Sequence, residues 1–207
     1  MQNFKTDQEN FWAGEFGNEY IDRNKSAQLL ASNLDYFSKS LKSAVNVNTA
    51  IEFGANIGMN LKALQLLRPE MKLSGVEINE EAVKILGTLI GKENAFHESI
   101  LGFVSKKKYD LVLLKGVLIH INPEKLDSLY QTMYDTSKKY ILVCEYYNPS
   151  PVNITYRGHN DRLFKRDFAG EILQKFSDVK LVDYGFGYKN DPNYPQDDIT
   201  WFLLEKC

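Results

Sequence analysis

Two rhythms of apolar residues alternate along this chain. Short, nearly unbroken apolar runs each end at or near a polar residue: Thr49-Ala50-Ile51-Glu52-Phe53, Leu73-Ser74-Gly75-Val76-Glu77, Asp110-Leu111-Val112-Leu113-Leu114 and Tyr140-Ile141-Leu142-Val143-Cys144-Glu145. Runs of this length read as strands buried on both faces. Between them apolar residues fall three and four apart, the helical spacing; Ala27, Leu30, Leu34, Phe37, Leu41 and Ala44 mark an amphipathic helix over 24–44. The pattern predicts strands near 48–53, 72–77, 95–97, 110–114, 140–145, 179–183 and 199–205. Helices are expected at 58–67, at 79–91, from Asn122 onward, and around Phe168, Ile172, Leu173 and Phe176. Asn79 is placed to cap its helix, with Glu80 and Glu81 in the first turn and Gly91 as a stop. Pro123 after Asn122 opens the next helix.

Alternating strands and helices imply an α/β fold: a mostly parallel, seven-stranded sheet with helices on both faces. Such sheets bind ligands at the carboxyl ends of their strands. Four loops meet there: Gly54–Gly58, Glu77–Asn79, Lys115–Asn122 and Glu145–Arg162.

Composition narrows the classes. The 207 residues are 43% apolar and 25% charged, which suits one globular domain. The expected organisation is a single domain over 1–207, with 1–45 as an N-terminal lid or cap and 46–207 as a core carrying an acceptor loop at 145–167. A net charge of −2 argues against nucleic acid or an anionic membrane as partner. No apolar run approaches the length of a bilayer span, and the N-terminus lacks a basic-then-apolar leader, so a cytoplasmic protein is expected. Cys144 and Cys207 make no disulfide framework and have no metal-ligand spacing; no metal is expected.

The chemistry-bearing motif is Glu52-x-Gly54-x-Asn56-x-Gly58, followed at βαβ spacing by Glu77. Glycine lets a backbone approach a ligand closely. An acid at the end of the second strand can accept both hydroxyls of a ribose. The dinucleotide fingerprint G-x-G-x-x-G fails, because Asn56 and Met59 stand where glycines are needed, and there is no Gly-Lys-Ser/Thr for a P-loop. An adenosine-type cofactor is therefore indicated.

The loop resembles that of class I S-adenosylmethionine-dependent methyltransferases, with Asn56 in place of the middle glycine. The resemblance implies a Rossmann-like sheet whose last strand is antiparallel, with the glycine loop passing under the methionine part. Glu77, with Ile78 beside it, would hold the ribose. Ser99 stands where an adenine-contacting aspartate is commonest, and Glu98 or the backbone could substitute. Lys115-Gly116-Val117-Leu118-Ile119-His120-Ile121-Asn122 is similar to the segment that lines the cofactor and the acceptor entrance in many small-molecule methyltransferases, which marks Lys115 and His120. Phe11 to Asn24 is unusually aromatic without a clean period, and the resemblance makes it a lid, with Trp12, Tyr20 and Arg23 as cofactor contacts.

The segment 145–167 is cationic and rich in tyrosine, and its two prolines are expected to prevent it from continuing as strand or helix. Tyr146, Tyr156, Arg157 and Arg162 could bind an anionic, hydroxyl-rich acceptor. Candidate bases for a hydroxyl acceptor are His120, His159 and Glu145. More narrowly, the Phe11–Tyr20 start, the Glu52–Asn60 loop, Leu118–Pro123, Tyr156–Phe168 and Pro195–Phe202 are similar to methylases associated with pseudaminic acid biosynthesis. That similarity implies O-methylation of a sialic-acid-like sugar or its activated form. A methyltransferase for another small molecule, or a catalytically silent cofactor-binding module supporting a partner enzyme, are the alternatives.

Overall fold

The structure is a computed structural model; it describes residues 6–156 and 159–207, with the side chains of 155–162 excepted. The N-terminal part is helical: α1 (Asp7–Ala13), α2 (Glu15–Arg23) and α3 (Ala27–Ser40). The core follows as β1 (Thr49–Phe53), α4 (Met59–Leu67), β2 (Lys72–Glu77), α5 (Glu80–Ile90), β3 (Ala95–His97), β4 (Tyr109–Lys115), α6 (Pro123–Thr136) and β5 (Ser137–Glu145). A hairpin of β6 (Val152–Tyr156) and β7 (His159–Lys165) interrupts it before α7 (Phe168–Lys175), β8 (Val179–Gly187) and β9 (Ile199–Lys206).

The main sheet has the order β3-β2-β1-β4-β5-β9-β8. Neighbours from β3 to β5 pair in parallel, and β9 runs antiparallel between β5 and β8. The expected antiparallel last strand is present, one position in from the sheet edge.

The continuous apolar runs are explained by the two faces they serve. Along β4, Leu111 and Leu113 join a core with Phe37 and Leu41 behind α3, Leu61 and Leu64 of α4, and Leu86 of α5. Val112 and Leu114 join the opposite core with Leu129 and Met133 of α6 and Ile172 of α7. Alternate residues point to opposite faces, so both positions of each pair must be apolar. Each fully buried aliphatic side chain of this kind contributes about 1.5–3 kcal/mol. The helix signals hold locally: Asn79 Oδ1 accepts from the Ala82 N–H, Asn122 Oδ1 from the Glu124 N–H and Asp167 Oδ1 from the Gly170 N–H.

Two expectations are corrected. The segment after β5 forms a strand hairpin, because Pro149 and Pro151 precede β6 and so break only the link from β5. The strand expected to end near 183 continues to Gly187, held by pairing with β9 as far as Ile199.

Candidate functional site

The sheet order reverses between β1 and β4, so the loops leaving these adjacent strands diverge and open a crevice at their carboxyl ends. The loop after β1 is built from left-handed residues. Gly54 has φ +74°, and a Cβ there would lie 2.6 Å from Val117 Cγ2. Asn56 has φ +48°, and its Oδ1 accepts from the next N–H, of Ile57, at 2.6 Å. Asparagine visits this region more readily than other non-glycine residues, which accounts for its place at the middle glycine position. Gly58, φ +84°, then turns the chain into α4.

Glu77, at the end of β2, binds the loop together. Its Oε2 accepts from the Asn56 N–H at 2.7 Å and its Oε1 from the Asn79 N–H at 2.8 Å. Burial pushes its carboxyl up, while the N–H groups of Asn79, Asn56 and Ile78 pull it down. Each oxygen retains a lone pair for a further donor. Ile78 also lines the cleft, and its carbonyl lies 3.1 Å from His97 Nε2.

Glu52 lies beneath the loop, fully buried. Its Oε1 accepts from Asn60 Nδ2 at 2.6 Å, and Oε2 has no partner. Burial raises its carboxyl to about 8. The chain of amides continues from Asn60 to Asn33 on α3 at 2.9 Å. Asn33 Oδ1 in turn accepts from Lys115 Nζ at 3.0 Å and Gln196 Nε2 at 3.3 Å. Desolvation holds the Lys115 ammonium below the ordinary lysine range.

The N-terminal helices close one side. Trp12 packs against the His120 ring, centroids 4.7 Å apart, and edge-on to Tyr20 at 5.3 Å. Trp12, Tyr20 and His120 all line the cleft. Asn79 ties both helices down: its Nδ2 donates to Asn18 Oδ1 of α2 at 2.8 Å and to the Trp12 carbonyl of α1 at 3.5 Å. Arg23, exposed at the end of α2, lies over the Phe16 ring at 5.9 Å and is not among the lining residues.

The carboxylate of Glu145 points into the protein framework. Its Oε1 accepts from the Val117 and Leu118 N–H groups at 2.9 and 2.8 Å, fixing the turn that presents His120, and it does not line the cleft. Burial lifts it to about 7. Tyr146, just past β5, and Leu163 of β7 line the cleft. Arg157 lies outside the described residues, as do the side chains of Tyr156, His159 and Arg162.

The cleft encloses about 440 Å³ and gathers Gly54, Asn56, Glu77, Ile78, Ser99, Lys115, Trp12, Tyr20 and His120 in one space. Sequence reasoning missed Glu9, Asn33, Asn60, Gln196 and Asp197, which also line it. Asn33 carried one signal: a polar residue flanked by the apolar stripe of α3, now 1% exposed. The donor set fits S-adenosylmethionine. Glu77 offers acceptors to a ribose, Lys115 a cation to a carboxylate, and Trp12 with Tyr20 aromatic faces to a sulfonium. A Cβ on Gly116, which lines the cleft with φ +68°, would meet nothing within 4 Å, so the floor there is open.

No protein-family model matches the chain, and no curated protein sequence matches it. Solved structures do. The magnesium protoporphyrin IX methyltransferase ChlM from Synechocystis PCC 6803 with bound SAM aligns over 100% of both chains, TM-score 0.67, at 12% identity. A SAM-dependent methyltransferase from Leishmania major aligns over 97% of this chain and 86% of its own, TM-score 0.69, at 14% identity. The plantazolicin methyltransferase BpumL in complex with SAH aligns over 96% and 93%, TM-score 0.62, at 14% identity. The fold of this chain is that of the S-adenosylmethionine-dependent methyltransferases.

Proposed function

We propose that the protein is an S-adenosylmethionine-dependent methyltransferase acting on a hydroxyl of a small acidic sugar of the sialic-acid type, free or activated. The observation that carries the reaction class is the convergence on one cleft of the Gly54–Gly58 loop, the Glu77 carboxylate and the Trp12–His120 pair. When bound, the cofactor would supply a methyl group on a sulfonium, from which a neutral thioether leaves readily. The protein's task is positioning and exclusion of water. Glu77 holds the ribose, and Lys115, oriented by Asn33, meets the carboxylate end. Trp12 and Tyr20 cover the sulfonium side. His120 is the candidate base: the turn fixed by Glu145 sets its ring on the cleft, where it takes the proton of the acceptor hydroxyl. Glu145 acts through that turn.

The acceptor class rests on chemistry beside the cleft. The β6–β7 hairpin leaves the end of β5 there, and Lys165 lies 4.9 Å from the centre of the Tyr146 ring, which lines the cleft. Arg157 and Arg162 belong to the same cationic stretch of sequence, and a guanidinium fork suits a carboxylate. The test is methyl transfer from labelled S-adenosylmethionine to a panel of nonulosonic acids, their nucleotide-linked forms and neutral hydroxyl compounds. Transfer confined to acidic sugars, weakened in Arg157→Ala and Arg162→Ala, supports the reading. Equal transfer to neutral acceptors leaves a methyltransferase for another small molecule. Tight cofactor binding without transfer to any acceptor favours a silent module.

A further inference from the structure

Glu77 ends β2, and β3 pairs beside it with Glu77 opposite His97. The Glu98 N–H donates to the Glu77 carbonyl at 3.2 Å. A nucleoside whose ribose rests on Glu77 therefore lays its base toward Ser99, Ile100 and Leu101, which line that end of the cleft. Ile100 and Leu101 offer apolar contact. A polar group at that end of the cleft comes from α1. Glu9 of α1 is only 6% exposed and lines the cleft, with Oε1 accepting the Ser99 hydroxyl and Oε2 accepting from Thr6 Oγ1 at 3.2 Å. A carboxylate is rarely so buried unless donors surround it.

Resting on the cofactor assignment above, we propose that Glu9 is the carboxylate that reads the exocyclic amine of the adenine, and that this contact latches the lid. An ionised carboxylate only accepts, so it matches the 6-amino group of adenine and opposes a 6-oxo group. The acid that β3 lacks at Ser99 is thus supplied from a separate helix. Trp12 follows Glu9 by three positions, on the same side of α1, and packs on His120. Holding the base through Glu9 therefore also seats Trp12 over the acceptor side.

The test uses S-adenosylhomocysteine and its 6-oxo (inosine) analogue, titrated calorimetrically into wild type, Glu9→Gln and Ser99→Ala, with amide hydrogen exchange over residues 7–16 with and without S-adenosylhomocysteine. Wild type should prefer the amino ligand by about tenfold or more. Glu9→Gln keeps the size but carries a donor as well, so its preference should fall below about threefold. Ser99→Ala should keep the wild-type preference. Exchange in α1 should slow on binding in wild type and not in Glu9→Ala. Retention of the preference in Glu9→Gln, or of the protection in Glu9→Ala, would overturn the proposal while leaving the cofactor in place. Absence of heat for either ligand with wild type would remove the cofactor and this proposal together.

Discussion

Glu52 is the sharpest point of physical tension in the fold, and replacing it with glutamine separates its charge from its shape. The side chain is fully buried, with one oxygen bound to Asn60 and the other without a partner. Burial raises its carboxyl from the 4.5 of a free glutamate to about 8. Between those two values the folded protein holds a proton that the unfolded chain has released. Stability from this group is therefore fully present below pH 4.5 and is lost as pH rises toward 8. At about 1.4 kcal/mol per pH unit the loss has a ceiling of ~5 kcal/mol, and water penetration on relaxation brings the expectation to about 2–4 kcal/mol. Glutamine has the shape of the protonated acid and never ionises. Urea unfolding of apo wild type and Glu52→Gln at pH 5, 6.5 and 8.5 measures the difference. Glu145, also raised by burial, titrates in both proteins and cancels. The variant should gain on the wild type steadily from pH 5 to 8.5. Parallel stability curves would refute the argument and mean that Glu52 is ionised in the fold, paired with Lys115 across the amide chain.

Other substitutions test the loop, the lid and the base. Gly54→Ala must hold a side chain at φ +74° against Val117 and should cost about 2 kcal/mol or more, together with most of the S-adenosylhomocysteine affinity, by calorimetry and denaturation. Gly17→Ala places a Cβ 1.9 Å from the Trp12 carbonyl; the α1–α2 turn cannot yield there without shifting, so Tm should fall by several degrees in a thermal melt. His120→Gln should lower kcat by about 10²–10⁴-fold, while ligand affinity stays within about threefold. An unchanged kcat would reassign the base.

The architecture was readable because burial on both faces of a parallel sheet leaves continuous apolar runs, as β4 and β5 do, and because caps such as Asn79 and Asn122 act locally. The geometry of the Gly54–Gly58 loop was readable for the same reason: left-handed backbone and a strand-end acid are local needs, and Gly54, Asn56 and Glu77 meet them within one βαβ unit. What sequence did not reveal is what tertiary folding brings together. Asn33, Gln196 and Lys115 converge from α3, the β8–β9 loop and the end of β4. Glu9 reaches Ser99 from a helix with no periodic signature, because a seven-residue helix is too short to show one. Glu145 was a candidate base from its place at a strand end; that its Oε1 accepts from two backbone N–H groups of the loop after β4 is a contact only the fold reveals.

The central claim is that an adenosyl cofactor sits in this cleft with its ribose on Glu77. Calorimetric titration of S-adenosylhomocysteine into wild type and Glu77→Ala tests it most directly. The account predicts micromolar binding to wild type and a loss of at least about a hundredfold in the variant, the cost of two charge-assisted hydrogen bonds. No binding to the wild-type protein, or equal binding to both, would contradict it.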